Sequence, residues 1–313
     1  MNTPSSQPQL FESHECPVVD GHRQVQRLAA RIADVGGIPI HRVLPQRARR
    51  TVGAWCFADH AGPSPIEARQ PGMRVGPHPH IGLQTFTWMI SGEVLHRDSL
   101  GHVQEIRPGE LNLMTAGRGI AHTEESVPGS TSLHAAQLWI ALPFEHRNTD
   151  PRFDHYENLP HWVEQGVEAT LLMGDYAGHR APALAFSPLL GMDLTSRAPR
   201  ALSLPVQADF EYGVLVLDGQ LTVGSEIFVA NEMAYFGCGI EGVNFDLGAD
   251  TRVLLLGGRP LGEEILIWWN FVGHSREDIV QAQADWEAES DRFGPVHGYV
   301  GKRLLPPPIP WAH

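Results

Sequence analysis

Turn-forming residues punctuate this chain at short intervals, and this spacing is the strongest constraint on its fold. The sequence holds 32 glycines and 25 prolines among its 313 residues. Strand-like runs such as residues 83–90 (LQTFTWMI) end at turn signals such as residues 91–93 (SGE). Turns recur about every eight to twelve residues, and no alternation of strands with long helices is visible. The pattern predicts an all-β fold, built as a sandwich or a barrel.

Two similar β-rich blocks indicate two domains. A chain of this length accommodates about two domains of about 150 residues each. Residues 217–220 (LDGQ) have the same turn pattern as residues 90–93 (ISGE), which indicates a duplicated fold. We predict an N-terminal arm over residues 1–35 with a short helix at 24–33, a first barrel over 36–155, a second barrel over 156–292 and a proline-rich tail over 293–313.

One helix is expected near the end of the second block. Ser275 followed by Asp278 resembles a capping box, with Asp in the position where Glu or Gln is usual. The helix is predicted over residues 275–290, and its apolar face consists of Ile279, Ala282 and Trp286. We expect this face to pack on the barrels; a surface for a protein partner is the alternative.

Charge and cysteine content limit the classes of function. Lys and Arg number 23 against 36 Asp and Glu, which gives a net charge of −13 and argues against direct nucleic-acid binding. The three cysteines are widely scattered, as expected in a reducing compartment. The N-terminus lacks the features of a signal peptide, and no apolar run approaches the roughly 20 residues of a membrane helix. We therefore expect a cytoplasmic protein.

Two short motifs, His78-Pro-His80 and His122-Thr-Glu124, form a candidate metal site. Residues two apart on an extended chain point to the same side, so each motif can aim two side chains at one interior. Pro79 removes a ladder hydrogen bond and favours a strand edge. If the two strands are neighbours, three imidazoles and a carboxylate converge, a set that suits a divalent first-row metal such as Fe(II). For any single histidine, an ordinary surface or buried role is the alternative.

A pocket beside these motifs has further candidate residues. The apolar candidates on predicted strands are Met73, Phe86, Trp88, Met114 and Trp139. Plain barrel core is the alternative for each of them, because Met and aromatic residues in strands are usually core. Gln84 is a candidate hydrogen-bond partner for a ligand histidine or a substrate. Four other histidines are expected to have no functional role: His60, His96, His102 and His134.

The motif spacing resembles the paired motifs of the cupin superfamily. The matching positions are Gly72, His78, His80 and Gln84 in the first motif, and Gly109, Thr115, Gly117 and His122 in the second. The histidine of the second motif comes two residues late and is followed by Glu124, a shift that resembles the pirin family. Gln84 stands where a cupin usually has Glu, and Ile81 stands where pirins commonly have a basic residue.

Further strings resemble the pirin family along residues 38–292. They include residues 98–101 (DSLG), 114–120 (MTAGRGI), 138–143 (LWIALP), 257–262 (GGRPLG) and 276–279 (REDI). The resemblance implies a bicupin, two antiparallel barrels in tandem with metal in the first one only. The sequence agrees, because residues 201–273 contain no histidine.

The resemblance also implies a ligand set and an activity. His78, His80, His122 and Glu124 would bind iron, and the chain would be an Fe(II)-dependent dioxygenase that opens the central ring of a flavonol such as quercetin with O2. Glu124 would also act as the base toward an acidic hydroxyl of the substrate. One alternative is a non-catalytic iron protein whose redox state changes a surface for a protein partner. Another is a different cupin reaction on a different substrate.

Overall fold

The structure is a computed structural model that describes residues 18–19, 22–66 and 72–311. It confirms the all-β prediction, with two barrels in tandem and one α-helix among the described residues. That helix has 12 residues, and in this part of the chain no helix is long and apolar enough to span a membrane.

The strands are short and are numbered in chain order. The first half of the chain contributes β1 Val18–Val19, β2 His22–Arg23, β3 Gln26–Ala29, β4 Arg31–Val35, β5 Ile38–Leu44, β6 Trp55–Pro65, β7 Arg74–His80, β8 Leu83–Ser91, β9 Val94–Asp98, β10 Val103–Ile106, β11 Leu111–Thr115, β12 Ile120–Ser126, β13 Ser132–Ala141 and β14 Arg152–Tyr156. A 3-10 turn at Phe144–His146 separates β13 from β14.

The second half has a similar set of elements. It contributes β15 His161–Glu164, β16 Val167–Met173, β17 Asp175–Tyr176, β18 His179–Arg180, β19 Leu189–Ser196, β20 Arg200–Pro205, β21 Glu211–Asp218, β22 Gln220–Val223, β23 Glu226–Val229, β24 Glu232–Gly237, β25 Gly242–Leu247, β26 Thr251–Gly258, β27 Leu266–Trp268, β28 Phe271–Gly273 and helix α1 Arg276–Glu287.

Each barrel is made of one seven-stranded and one four-stranded antiparallel sheet. In the first barrel the sheet β14-β11-β8-β13-β6-β5-β4 packs against β10-β9-β12-β7. In the second, β15-β16-β19-β26-β21-β24-β3 packs against β20-β25-β22-β23. The matching composition of the two barrels is what a duplicated fold produces.

The two seven-stranded sheets also contact each other and bury a shared apolar core. Trp55, Phe86 and Leu138 of the first barrel belong to one buried cluster with Leu172 and Leu254 of the second. Central strands of the first barrel such as β8 are therefore buried on both faces, because one face lies in the first barrel and the other contacts the second barrel. The interface makes the barrels one packing unit.

The helix predicted at residues 24–33 is wrong, because this stretch forms β3 and β4. Strand β3 pairs with β24 of the second barrel and β4 pairs with β5 of the first, so residues 26–35 join the two sheets. Leu28 is buried and its two neighbours are exposed, as expected in a strand, where successive side chains point to opposite faces. Pairing with distant strands overrode the local propensity. The remainder of the predicted arm lies largely outside the described residues.

The C-terminal helix forms as predicted, although it ends at Glu287 rather than at residue 290. The Ser275 hydroxyl accepts the main-chain N–H of Asp278, whose carboxylate accepts the N–H of Ser275. The buried face of the helix contains the three predicted residues Ile279, Ala282 and Trp286. It packs in one cluster with Ala121 of β12 and Phe271 of β28. The helix therefore lies behind the four-stranded sheet of the first barrel.

The chain after the helix continues along the same sheet. The Trp286 indole N–H donates to the Leu304 carbonyl at 2.8 Å, and the Leu304 N–H donates to the Pro77 carbonyl at 2.8 Å. Ile309 is buried in the cluster that holds the helix. The proline-rich segment is thus tied to the edge strand β7.

Candidate metal centre

Two neighbouring strands, β7 and β12, bring the histidine motifs together. His78 and His80 lie on β7, and the antiparallel register sets His122 of β12 opposite His78. One ring nitrogen from each side chain lies within 4.8 Å of the others, and all three histidines are buried. Ala121, on the opposite face of β12, packs against the C-terminal helix cluster. The histidines therefore point into the first barrel.

Main-chain carbonyls hold the two imidazoles of β7 in one tautomer. His78 Nδ1 lies 2.9 Å from the Gly76 carbonyl oxygen, and His80 Nδ1 lies 2.9 Å from the Asn270 carbonyl oxygen. A carbonyl only accepts, so each Nδ1 carries the proton and donates it. Each Nε2 is then left with a lone pair, which is the form that binds a metal.

The distances between the imidazoles fit a single metal ion. His80 Nε2 and His122 Nε2 are 3.1 Å apart. Two nitrogens about 2.1 Å from one ion and at right angles would be about 3.0 Å apart. The His78 ring centroid lies 4.3 Å from that of His122 and 5.0 Å from that of His80. Three converging imidazoles suit a divalent first-row cation.

Burial keeps these imidazoles neutral. Desolvation lowers the pKa of His78 to about 4, a change that the nearby His96 reinforces. Desolvation, together with the neighbouring imidazoles, also lowers the pKa values of His80 and His122 well below their ordinary value. At neutral pH no proton has to leave before a cation binds.

Glu124 follows His122 after an irregularity in the pairing of β12 with β7. It lies opposite Val75 of β7 and His96 of β9, and it does not belong to the group of donors within 4.8 Å. Desolvation raises the pKa of Glu124 to about 7. A cation bound nearby would stabilise the charged carboxylate.

Two residues of β9 extend the site: His96, for which the sequence predicts no functional role, and Asp98, which begins the string at residues 98–101. His122 Nδ1 lies 3.3 Å from His96 Nδ1, and His96 Nε2 lies 3.1 Å from Asp98 Oδ2. Burial alone would raise the pKa of Asp98, but hydrogen bonds and charge from His96, together with the His102 main chain, bring it below its ordinary value. The spacing of His96 and Asp98 is the same period-two signal that identified the ligand motifs.

Aromatic side chains surround the histidines. Phe57 and Trp139 stack with ring centroids 4.0 Å apart, and the Trp139 ring lies 5.2 Å from that of His80. Phe153 of β14 stacks on His96 at 4.3 Å with an angle of 13° between the planes. Flat aromatic rings therefore lie against His80 and His96.

Three of the predicted pocket residues face the other barrel instead. The Gln84 amide donates to the Thr115 hydroxyl and the Leu184 carbonyl, at 3.0 and 3.1 Å. Phe86 belongs to the core between the barrels, and the Trp88 indole donates to Asp193 of the second barrel. These contacts direct the three side chains toward the second barrel and favour the core alternative for Phe86 and Trp88, and the pocket roles stay predictions. Both faces of β8 are buried, so periodicity could not distinguish them.

The remaining pocket candidates lie in the first barrel, in different clusters. Met114 and Trp139 share a buried cluster with Phe57. Met73 belongs to another cluster with Met89 and is part of the barrel core. Met114 and Trp139 thus stay candidates for the pocket.

A second group of donors lies at the ends of β11 and β14. His155 Nε2 is 3.6 Å from Glu110 and 3.9 Å from Glu157. Glu110 already accepts the Arg107 main-chain N–H at 2.7 Å, and Glu157 is exposed. This group is less buried than the three histidines of β7 and β12.

Together, the tandem barrels and the histidine cluster in the first barrel define a bicupin. The sequence model of the pirin family ("Pirin") matches residues 37–140, and that of the "Pirin C-terminal cupin domain" matches residues 191–294. The chain belongs to the pirin family.

Individual relatives match over most of their length. A Pseudomonas aeruginosa protein with the provisional name quercetin 2,3-dioxygenase PA1205 is 56% identical over 303 residues, 96% of each chain. A pirin-like protein of Caulobacter vibrioides is 39% identical and covers 83% of this chain and 91% of its own. A crystal structure of quercetin 2,3-dioxygenase from Acinetobacter baumannii is 45% identical, with a TM-score of 0.90 over 92% of this chain and 97% of that one.

Proposed function

We propose that this chain is an Fe(II)-dependent dioxygenase that cleaves a quercetin-like flavonol with O2. The observation that carries the proposal is the cluster of three buried, neutral imidazoles that converge in the first barrel. Support also comes from the 45% identity to a solved quercetin 2,3-dioxygenase and the TM-score of 0.90. A flavonol and O2 are the partners that this reaction requires.

The proposed ligands are His78, His80, His122 and Glu124. Three neutral nitrogens and one carboxylate leave a bound Fe(II) with a net charge of +1, and the set suits an oxygenase iron better than a closed structural zinc site. Iron in this place would supply the redox chemistry that lets O2 react with an organic substrate. Other divalent ions fit the same donors.

Glu124 is also proposed as the general base. Its carboxylate oxygen would accept the proton of an acidic flavonol hydroxyl. Burial alone raises its pKa to about 7, and a bound cation would lower that pKa and keep the carboxylate ionised and able to accept the proton. Phe57, Trp139 and Met114 would pack against the flat rings of the flavonol and exclude water from it.

A cytoplasmic location is part of the proposal. The described residues hold no disulfide, since Cys56 and Cys238 are not joined, as expected in a reducing compartment. The net charge of −13 argues against nucleic acid as a partner.

The test is O2 uptake by anaerobically Fe(II)-loaded protein with and without quercetin. We expect uptake that depends on quercetin, releases carbon monoxide and is lost in His122→Ala. His161→Ala, which removes an exposed histidine of the second barrel, is the matched control and should keep the activity. Protein that holds one iron and yet consumes no O2 with quercetin would contradict the enzyme proposal. It would favour the redox-sensing role with a protein partner.

Glu124→Gln separates the two roles of that carboxyl group. We expect the variant to retain iron at reduced affinity and to lose turnover. Full turnover in Glu124→Gln would contradict the role as base while leaving the histidine ligands untouched.

A further inference from the structure

The third imidazole of the cluster is held differently from the other two. His78 and His80 donate their Nδ1–H to carbonyl oxygens, which can only accept a hydrogen bond. His122 Nδ1 instead faces another imidazole nitrogen, His96 Nδ1, at 3.3 Å. A neutral imidazole nitrogen either donates or accepts, so this contact alone does not decide the His122 tautomer.

The carboxylate of Asp98 determines the tautomer of His122. Oδ2 of Asp98 lies 3.1 Å from His96 Nε2 and accepts the proton that this nitrogen carries. His96 Nδ1 is then left with a lone pair and accepts the Nδ1–H of His122. His122 Nε2 in turn points its own lone pair toward His80 Nε2, 3.1 Å away.

The surroundings of Asp98 and His96 hold this chain of contacts in one direction. Oδ1 of Asp98 accepts the main-chain N–H groups of Leu100 and His102 at 2.9 and 3.0 Å. These donors cannot become acceptors, so the orientation of the carboxylate is fixed. Phe153 stacks on the His96 ring and restricts its rotation. Asp98 is 2% exposed and His96 is 4% exposed, so water does not compete for these hydrogen bonds.

We propose that Asp98, acting through His96, is the positioning group that keeps His122 in its Nδ1–H tautomer with Nε2 directed at the metal position. The inference rests on the proposed metal centre and adds two residues to it that touch neither metal nor substrate. Outer hydrogen-bond partners of metal-binding histidines typically change metal affinity by about 10- to 100-fold.

The variant Asp98→Asn, which replaces one carboxylate oxygen by an NH2 group, tests the direction of these hydrogen bonds. In Asp98→Asn, the amide oxygen must stay with the N–H groups of Leu100 and His102, so the NH2 group takes the position of Oδ2. That NH2 donates one hydrogen to His96 Nε2 and the other to His102 Nδ1, which lies 2.9 Å from Oδ2 in the wild type. The proton of His96 then moves to its Nδ1, where it faces the Nδ1–H of His122. We expect Zn(II) and Co(II) affinity, measured by chelator competition on the full chain, to fall about 10- to 100-fold.

Asp193→Asn is the matched control. Asp193 is equally buried, at 3% exposure, and it accepts hydrogen bonds from Trp88 and Arg252 away from the histidines. The metal affinity of Asp193→Asn should stay within about twofold of the wild-type value, because this site is independent of the histidines. An equal loss in both variants, or no loss in Asp98→Asn, would overturn the inference.

A double-mutant cycle shows whether Asp98 acts through His96. His96→Phe keeps a ring against Phe153 but removes both nitrogens, so it should weaken metal binding by itself. Asp98→Asn should then cause no further loss in the His96→Phe background. Additive losses would mean that Asp98 acts by another route and would overturn the proposal.

Nuclear magnetic resonance of 15N-histidine-labelled protein separates this inference from the proposed metal centre. In the metal-free wild type, His122 should show the Nδ1–H tautomer, and in Asp98→Asn it should shift toward the Nε2–H form. An Nε2–H tautomer in the wild type would overturn the inference even if the protein binds Zn(II). Failure of the wild type to bind Zn(II) and Co(II) would contradict the metal centre, while the tautomer result would still decide the role of Asp98.

Discussion

The contact between Gly82 and the β27–β28 hairpin tests how the C-terminal segment supports the proposed metal centre. Gly82 follows β7, which carries the proposed ligands His78 and His80. Its φ is +66°, and a Cβ added there would lie 2.1 Å from the Val272 carbonyl oxygen. The same hairpin carries the Asn270 carbonyl that accepts His80 Nδ1–H. Gly82→Ala would force the hairpin away from β7.

Two contributions determine how much Gly82→Ala lowers the free energy of unfolding. The left-handed backbone conformation costs a residue with a Cβ about 1–2 kcal/mol. Displacing a packed backbone adds about 1–3 kcal/mol, as in overpacked cores. We therefore expect Gly82→Ala to lower the free energy of unfolding by about 2–5 kcal/mol.

Gly224 is the matched control. Its φ is +59°, but an added Cβ would meet no atom within 4 Å. Gly224→Ala should therefore cost only the backbone contribution of about 1–2 kcal/mol. Urea unfolding of both variants measures the difference, and chelator competition with Zn(II) should show weaker binding for Gly82→Ala alone. Equal loss of stability, with equal Zn(II) affinity, would refute the reasoning.

Three further predictions concern stability and use the same urea titrations. Desolvation lowers the pKa of His134 to about 3, against about 6.5 in an unfolded chain, so the unfolded state binds more protons between these values. Stability should fall as the pH drops from about 6.5 to about 3, less steeply in His134→Gln; equal slopes would contradict this. Asp193→Ala strips Trp88 and Arg252 of their buried acceptor and should cost about 3–5 kcal/mol, whereas a loss below about 1 kcal/mol would contradict it. Ser275→Ala should cost about 1 kcal/mol by removing the helix cap, with recovery in Ser275→Asp, and no recovery would exclude capping as the cause.

Local patterns were sufficient for the all-β class and for the convergence of the three histidines, whereas the tandem barrels were implied by the family resemblance. Short strands bounded by turns predict a sandwich or a barrel, because each strand must bury one face. His78 and His80 share a face through strand periodicity alone, and their convergence with His122 needed only that β7 and β12 be neighbours. The capping box at Ser275 is equally local, so the start of the helix could be placed correctly.

What could not be predicted depends on partners far apart in the chain. Residues 26–35 form strands because β3 pairs with β24, about 200 residues later. The direction of Gln84 and Phe86 depends on the contact between barrels, which buries both faces of β8. The role inferred for His96 arises from the pairing of β9 with β12, which places this histidine beside His122, whereas its local sequence predicts no role.

The most direct test of the metal centre is a crystal structure of the Fe(II)-loaded protein with anomalous scattering measured at the iron absorption edge. The proposed metal centre requires one strong peak in the first barrel, about 2.1 Å from Nε2 of His78, His80 and His122. Absence of a peak at these three nitrogens, or a peak only at the group of Glu110, His155 and Glu157, would contradict it.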